Sequence, residues 1–290
     1  MVRWGAPVHQ APSASTGVDL REALDVCRRD PVASVLASSR IEAALADGGT
    51  DGGHHLWGVR RRGELVAIAW AGANLVPVCA PDDEEAVDAF AALALRQGRR
   101  CSSIVGDSAV VLPLWQRLEH AWGPARDVRA SQPSLVIDHA PAVAPDPAVR
   151  RTTPDELDVV LPACVAMFVE EVGYSPVEGS GDAYEARVRS LVESGRSFAR
   201  IEPGPSGPVV LFKAELGAVG LDVAQVQGVW VPPERRGEGL SVAGMAAVVE
   251  LAREHWGTVS LYVNDYNARA LAAYRHVGFR QVGTYATVLF

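Results

Sequence analysis

The chain has 290 residues, 48% hydrophobic and 21% charged, with a formal net charge of -8. That mix suits a globular protein of one or two domains, and the acidic balance argues against nucleic acid as a partner, since a duplex calls for a basic face. No apolar run approaches the roughly 18 residues of a membrane span, so no membrane partner is expected either.

The opening segment MVRWGAPVHQAPSASTG lacks the apolar core of a secretory signal. Cys27, Cys79, Cys101 and Cys164 are scattered and form no C-x-x-C pair. Reduced thiols, a cytoplasmic location and no metal are the expectations. Lys213 is the only lysine among 27 basic residues. A phosphate loop ending in Gly-Lys-Ser/Thr is thereby excluded, and Schiff-base chemistry has one possible residue.

Helices are expected near 19–29 and 31–46, followed by strands HLWGVRR, ELVAIAWAG and NLVPVC. A helix EEAVDAFAALALRQG, a strand CSSIVGD, a helix LPLWQRLEHAW and a strand SLVID come next. The acid run Asp82-Asp83-Glu84-Glu85 reads as a helix start. His54-His55 has no third ligand beside it. Residues 139–151, HAPAVAPDPAVRR, hold three prolines and four alanines without periodicity and read as a linker. It separates domains of 1–140 and 150–290.

In the second half, Thr153-Pro154-Asp155-Glu156 opens a helix whose apolar face runs from Leu157 to Val169. A helix over about 182–194 follows. Strands SFARIEP and VVLFKAELG flank the turn Gly204-Pro205-Ser206-Gly207, and VQGVWV is a third strand. Helix SVAGMAAVVELAREHW, strand TVSLYV, helix NARALAAYRHV and a strand near TYATVLF complete the order α-α-β-β-β-α-β-α-β. The first half blurs the same order. SIVGD (103–107) and LYVND (261–265) hold matching places, so the fold is expected twice, as mixed α/β.

The stretch from Gly228 through Pro232-Pro233 to Ser241 carries the chemistry. An apolar strand runs through two prolines and a glycine-rich turn into a helix. Free N–H groups at the helix start, glycines that let the backbone approach an anion, and Arg235 and Arg236 make a pyrophosphate cradle. A surface turn rich in arginine and glycine is the bland alternative. A dinucleotide loop is disfavoured, because Gly237-x-Gly239 meets Val242 where a third glycine belongs.

Arg236-Gly237-Glu238-Gly239-Leu240-Ser241 resembles motif A of the GNAT superfamily of N-acetyltransferases, Q/R-x-x-G-x-G/A, with Ser241 departing at the last position. LYVNDYNARALAAYRHVGF (261–279) is similar to motif B of that superfamily, and the resemblance covers about 150–290. The tandem arrangement resembles an actinobacterial group in which an uncharacterised N-terminal domain precedes such an enzyme. The resemblance implies two tandem acetyltransferase-like domains, the N-terminal one degenerate, with acetyl-CoA as co-substrate and an amine as acceptor. Acyl-CoA would lie between strands VQGVWV and VSLYV. Val229, Trp230 and Val231 would meet the pantetheine arm. Arg235, Arg236, Gly237, Glu238, Gly239, Leu240 and Ser241 would hold the pyrophosphate, with Asn264 and Asn267 nearby. Asn267 has a plain helix cap as its alternative.

Tyr274 matches the motif B tyrosine that protonates the leaving thiolate; the alternative is a core aromatic. The strand before motif A carries Gln225 and Gln227 where the superfamily often has a glutamate. Glu170 and Glu171 are the substitutes, with a solvated helix end as the alternative. Two rival readings stay open: acetylation of a cysteinyl-sugar amine in the manner of mycothiol synthase, and a non-catalytic acyl-CoA sensor or scaffold. The loop matching the cradle in the first half, Ala80 to Glu85, has no glycine and no arginine, so one CoA per chain is expected.

Overall fold

The computed structural model describes residues 13–177, 181–205 and 207–290. Ser206, in the expected turn, and the first twelve residues of the opening segment lie outside these. The chain forms two compact units. One runs to Ser131 and includes Tyr285–Phe290; the other is Gln132–Thr284.

The first unit contains β1 (Ala14–Thr16), α1 (Leu20–Cys27), α2 (Pro31–Ala46), β2 (Leu56–Arg61) and β3 (Glu64–Ala71). It continues with β4 (Asn74–Val78), α3 (Glu84–Gln97), β5 (Ser103–Asp107) and α4 (Ser108–Trp122). β6 (Asp127–Ile137) carries the chain into the second unit, through β7 (Arg150–Arg151) and a 3-10 turn Pro154–Glu156 to α5 (Leu157–Val172) and α6 (Asp182–Glu193). Then come β8 (Ser197–Gly204), β9 (Gly207–Gly220), β10 (Val223–Trp230), a 3-10 turn Pro233–Arg235 and α7 (Leu240–Arg253). β11 (Thr258–Tyr262), α8 (Ala268–Val277) and β12 (Arg280–Leu289) finish the chain.

Among the described residues, aspartates start each α-helix of the first unit. Asp19, Asp30, Asp83 and Asp107 each accept backbone N–H bonds from the first turn that follows. This satisfies donors that a helix start leaves unpaired. Asp107 also explains why α4 begins at Ser108, four residues before the expected Leu112. The cap outweighs Pro113, which is tolerated inside the helix at the loss of one backbone donor.

The two units repeat one strand plan. In the first, β1 to β4 pair antiparallel in sequence, β4 pairs β5 parallel, and β5 pairs antiparallel with Tyr285–Leu289. In the second, β7 to β10 pair antiparallel, β10 pairs β11 parallel, and β11 pairs antiparallel with Ser134–Ile137. Each sheet is therefore closed by a strand that the order of the chain would give to the other half. The boundaries differ from the expected 1–140 and 150–290 for this reason: strand pairing, not composition, decides where residues belong.

Nor is 139–151 a free linker. Its prolines keep most of it out of a ladder, yet Ala142 N–H donates to Val277 C=O and Asp146 N–H to Ala243 C=O. The buried Asp146 carboxylate receives Arg200 Nη1 at 2.8 Å, and Arg150–Arg151 pairs with β8.

The second core places Phe212, Ala214 and Leu216 of β9 and Ala224 and Val226 of β10 against Met245, Val248 and Val249 of α7. On the opposite face of β9 lie Lys213 and Glu215. A smaller cluster joins Val160 and Cys164 of α5 to Val188 and Val192 of α6.

The expected helix start at Thr153 is held by a carboxylate. Glu156 accepts the Thr153 N–H at 2.9 Å and hydroxyl at 3.1 Å, and both Arg150 Nη atoms at 2.8 and 2.5 Å. Its hydrogen bonds with Arg150 lower its pKa from the ordinary 4.5 to about 2. A depressed carboxylate stabilises fully above its unfolded value, and that contribution fades as pH falls from 4.5 toward 2. Glu156→Gln should cost on the order of 2 kcal/mol at pH 7 and progressively less below pH 4, as denaturant melts across that range will read.

Candidate functional site

The β9–β10 hairpin sets the site's geometry. Leu221 and Asp222 take φ of 50° and 62°, a two-residue turn whose twist matches the flanking strands. The ladder then breaks twice. Gln225 pairs with Ala218 but Val226 with Leu216, leaving Gly217 of β9 as an extra residue. Gln227 pairs with Glu215 but Trp230 with Lys213, so Gly228 and Val229 together oppose Ala214. Two residues against one is a β-bulge, which bends a strand and re-aims its backbone. Gly228 adopts φ of 61° there, a region that favours glycine.

On its other edge β10 pairs with β11 at only three positions, Val223↔Thr258, Ala224↔Val259 and Gln225↔Ser260. Beyond them β10 continues on β9 while β11 continues on β6. The two parallel strands thus part from Val226 onward, at the bulge. Val229, Trp230 and Val231 follow this edge.

Trp230 leads into the glycine-rich loop. Gly237 and Gly239 take φ of 92° and 82°, and a Cβ on either would meet nothing within 4 Å. Gly239 caps α7 without a side chain, so no cap side chain takes up the first-turn N–H groups that a helix start leaves unpaired. Arg235 is engaged by Glu238 at 2.8 Å. Arg236 donates from Nε to Val231 C=O at 3.0 Å and from Nη2 to Glu170 Oε2 at 2.6 Å. Glu170 Oε1 accepts Trp230 Nε1 at 3.1 Å. Glu170 therefore clasps the end of α5 to the strand and to the loop.

Of the expected proton carriers, Glu171 is exposed at the end of α5 and Tyr274 is buried on α8. Burial raises the Tyr274 pKa, and the Glu171 charge raises it further, so the phenol keeps its proton at neutral pH. Tyr274 meets Phe279 edge-on with centroids 6.0 Å apart. Asn267 caps α8, its Oδ1 accepting Ala270 N–H at 3.1 Å. Asn264 Oδ1 accepts Gln132 Nε2 at 2.9 Å.

One cluster escaped the sequence reading. The fully buried Lys213 Nζ lies 2.5 Å from Glu215 Oε1, and Cys164 Sγ donates to the same oxygen at 3.3 Å. Burial pulls the ammonium pKa down, but Glu215 outweighs it and the net direction is up. Burial likewise pushes the Glu215 carboxyl up, and Lys213 turns the net shift downward. Both groups stay charged, so Lys213 is no Schiff-base nucleophile. Burial pushes the Cys164 thiol up to about 12, partly offset by Lys213, and it is no ready nucleophile either. The signal was present: a Lys and a Glu two residues apart, on one face of the otherwise apolar VVLFKAEL.

The corresponding place in the first unit is built otherwise. Asp83 caps α3 and takes Arg61, which also lies 3.3 Å from Glu85, while Arg117 holds Glu84 and Asp88. β4 and β5 pair at Asn74↔Ser103 and Leu75↔Ile104, and a Cβ on Gly106 would still stand 3.5 Å from Pro77 O. The strands stay close where β10 and β11 part, and Pro77 has no N–H to offer. The His54 and His55 rings lie 3.9 Å apart, with His55 stacked on Trp70. Among the described residues no group of three or more His, Cys, Asp or Glu side chains could hold a metal ion. Among them, too, no helix is long and apolar enough to cross a membrane.

Residues 197–279 match the model of the acetyltransferase (GNAT) family, and residues 54–160 match a domain of unknown function, DUF4081. No curated protein is similar in sequence. Solved structures share the fold over nearly the whole chain. A Drosophila protein is 14% identical with a TM-score of 0.63, covering 97% of this chain and 98% of its own. A GNAT-type N-acetyltransferase from Sphaerobacter thermophilus is 18% identical with a TM-score of 0.56, covering 96% and 95%. A GNAT-family acetyltransferase from Colwellia psychrerythraea is 13% identical with a TM-score of 0.53, covering 96% and 99%.

Gly239→Asp tests the loop. Aspartate tolerates the left-handed region better than most residues, so the fold should survive while a carboxylate faces the anion site. Calorimetry should show CoA affinity falling at least tenfold; unchanged affinity in a folded variant would remove the cradle assignment.

Proposed function

We propose, for a chain whose C-terminal half carries a GNAT-family acetyltransferase domain, that this domain moves the acetyl group of acetyl-CoA to a primary amine by direct attack. The observation that carries the reading is the parting of β10 from β11 at the bulge, immediately before the glycine loop. Pantetheine carries amides at nearly peptide spacing, so a strand edge leaving its ladder at Val229 to Val231 can pair with it as with another strand. The N–H groups of Arg236 through Ser241 then meet the pyrophosphate, which competes with Glu238 for Arg235. Arg236 keeps the loop in place through Glu170.

The acceptor must be neutral to attack. A lysine-like amine has a pKa near 10.4, so only about one molecule in 2,500 is neutral at pH 7. We assign proton acceptance to Glu171, directly or through water, because its charge acts on Tyr274, while Glu170 braces Trp230 and Arg236. The amine nitrogen bonds to the carbonyl carbon, the C–S bond breaks, and Tyr274 gives its proton to the departing thiolate. The phenol is protonated at neutral pH, and burial, which raises its pKa, makes it a weaker acid than a free tyrosine. With Cys164 held as a buried thiol, a covalent acyl-enzyme has no nucleophile in this cluster.

A panel of amines and peptides, followed by CoA release, tests the activity; binding without turnover on any amine would favour the sensor reading. Tyr274→Phe should lower kcat about 10-fold to 100-fold with CoA affinity unchanged. Glu171→Gln should alter the pH dependence of kcat/KM, and Glu170→Gln should instead weaken CoA binding. Titration of the full chain should give one CoA per chain, since the helix start at Glu84 is filled by carboxylates and arginines. Two sites would contradict this.

A further inference from the structure

The bulge that opens the site is backed by the buried pair. A Cβ built on Gly228 would stand 3.2 Å from Lys213 Nζ, 3.2 Å from Met167 Cε and 3.3 Å from Glu215 Cδ. The ammonium and carboxylate thus lie directly behind the bulged backbone, wedged between β10 and α5. Lys213 is opposite Trp230 and Glu215 opposite Gln227, so the pair brackets the two residues that break register. Around it stand the Cys164 thiol and Met167 of α5, and Tyr184 of α6, whose hydroxyl donates to Cys164 C=O at 2.9 Å.

Stability does not account for this arrangement. Burying two charges costs several kcal/mol each, and apolar residues of similar size often do as well or better. Basic-residue usage singles out the position too: 26 of 27 cationic side chains are arginine, and the one lysine is here. An ammonium is a compact point charge with three rotatable donors. A planar guanidinium would bring five donors and need more room.

We propose that Lys213 and Glu215 are positioning residues for acyl transfer: the buried pair holds the Gly228–Val229 bulge so that its backbone is aimed at the thioester carbonyl. The inference rests on the acetyl-CoA reading above. In the parted region the bulge releases two peptide units from a one-to-one ladder with β9. A peptide N–H held there can donate to a carbonyl oxygen, and a misplacement of about 1 Å can cost about 100-fold in rate. The pair touches neither the amine nor the thiolate. Its effect passes through the backbone.

The test compares CoA with acetyl-CoA by calorimetry, in wild type and in Lys213→Met/Glu215→Leu, which removes both charges and leaves none unpaired. Wild type should bind acetyl-CoA about fivefold more tightly than CoA, the worth of one aimed hydrogen bond. In the double variant that preference should vanish with CoA affinity unchanged, and kcat should fall about 100-fold at constant acceptor KM. A residue that only fills space would shift Tm and leave the preference and kcat intact; that result in a folded variant overturns the proposal and leaves the acetyltransferase reading standing. Wild type that binds neither ligand would overturn both. Should the double variant not fold, Lys213→Met/Glu215→Gln serves instead, because it also removes both charges while keeping a polar group for Cys164. The same loss of preference supports the proposal, and a wild-type preference overturns it.

Discussion

The second unit depends on one constraint: a β-strand that leaves its neighbour must place its backbone polar groups somewhere. β10 and β11 share only three paired positions before they part. In an ordinary sheet, stranded N–H and C=O groups would be a liability. Here the parting coincides with a bulge, a glycine in the left-handed region and a helix whose first turn has no side-chain cap. Three departures from regular structure fall within about a dozen residues. Local irregularities of this kind concentrate where a protein handles ligands. The side chains around them act as supports, with Glu170 tying strand to loop and Lys213–Glu215 standing behind the bulge.

The first unit shows what the same strand plan becomes without that constraint. Its parallel pair is shorter still, at two positions against three, yet Gly106 stays close to Pro77 O and a proline occupies the strand that would offer N–H groups. The helix start that corresponds to the glycine loop is sealed by Asp83 with Arg61 and by Glu84 with Arg117. A helix N-terminus favours anions, and this one already carries them. The two units therefore share a strand plan, and among the described residues only the second combines parted strands, a bulge and an uncapped glycine loop.

Much of this was legible in the sequence, and the reasons differ by element. The glycine loop and the α8 start could be read because their chemistry is local: Gly237, Gly239 and Asn267 act within a few residues of themselves. The order of elements followed from periodicity and turn residues. What escaped was non-local. Glu215 lies opposite Gln227 only because the bulge at Gly217 shifts the register. A search for a carboxylate on β10 itself finds two glutamines and stops. Likewise Glu170 and Glu171 look interchangeable at a helix end, and only the packing of α5 against Trp230 and Arg236 gives them different surroundings.

The exchange of closing strands was beyond pattern reading for a related reason. SLVID and TYATVLF are short apolar runs that suit any sheet edge. Each completes the sheet that lacks a sixth strand, and connectivity alone would have assigned them the other way. The proline-rich 139–151 then has a physical role. It must carry the chain from the end of β6 on one side of its sheet to β7 at the opposite edge without joining the ladder, and prolines prevent such pairing. Backbone bonds to Val277 and Ala243 and the buried Asp146–Arg200 pair fix its course. Val277 ends the helix that carries Tyr274, and Ala243 lies in the first turn after the glycine loop. The segment that composition marks as a spacer is thus a strap across the two helices that frame the site.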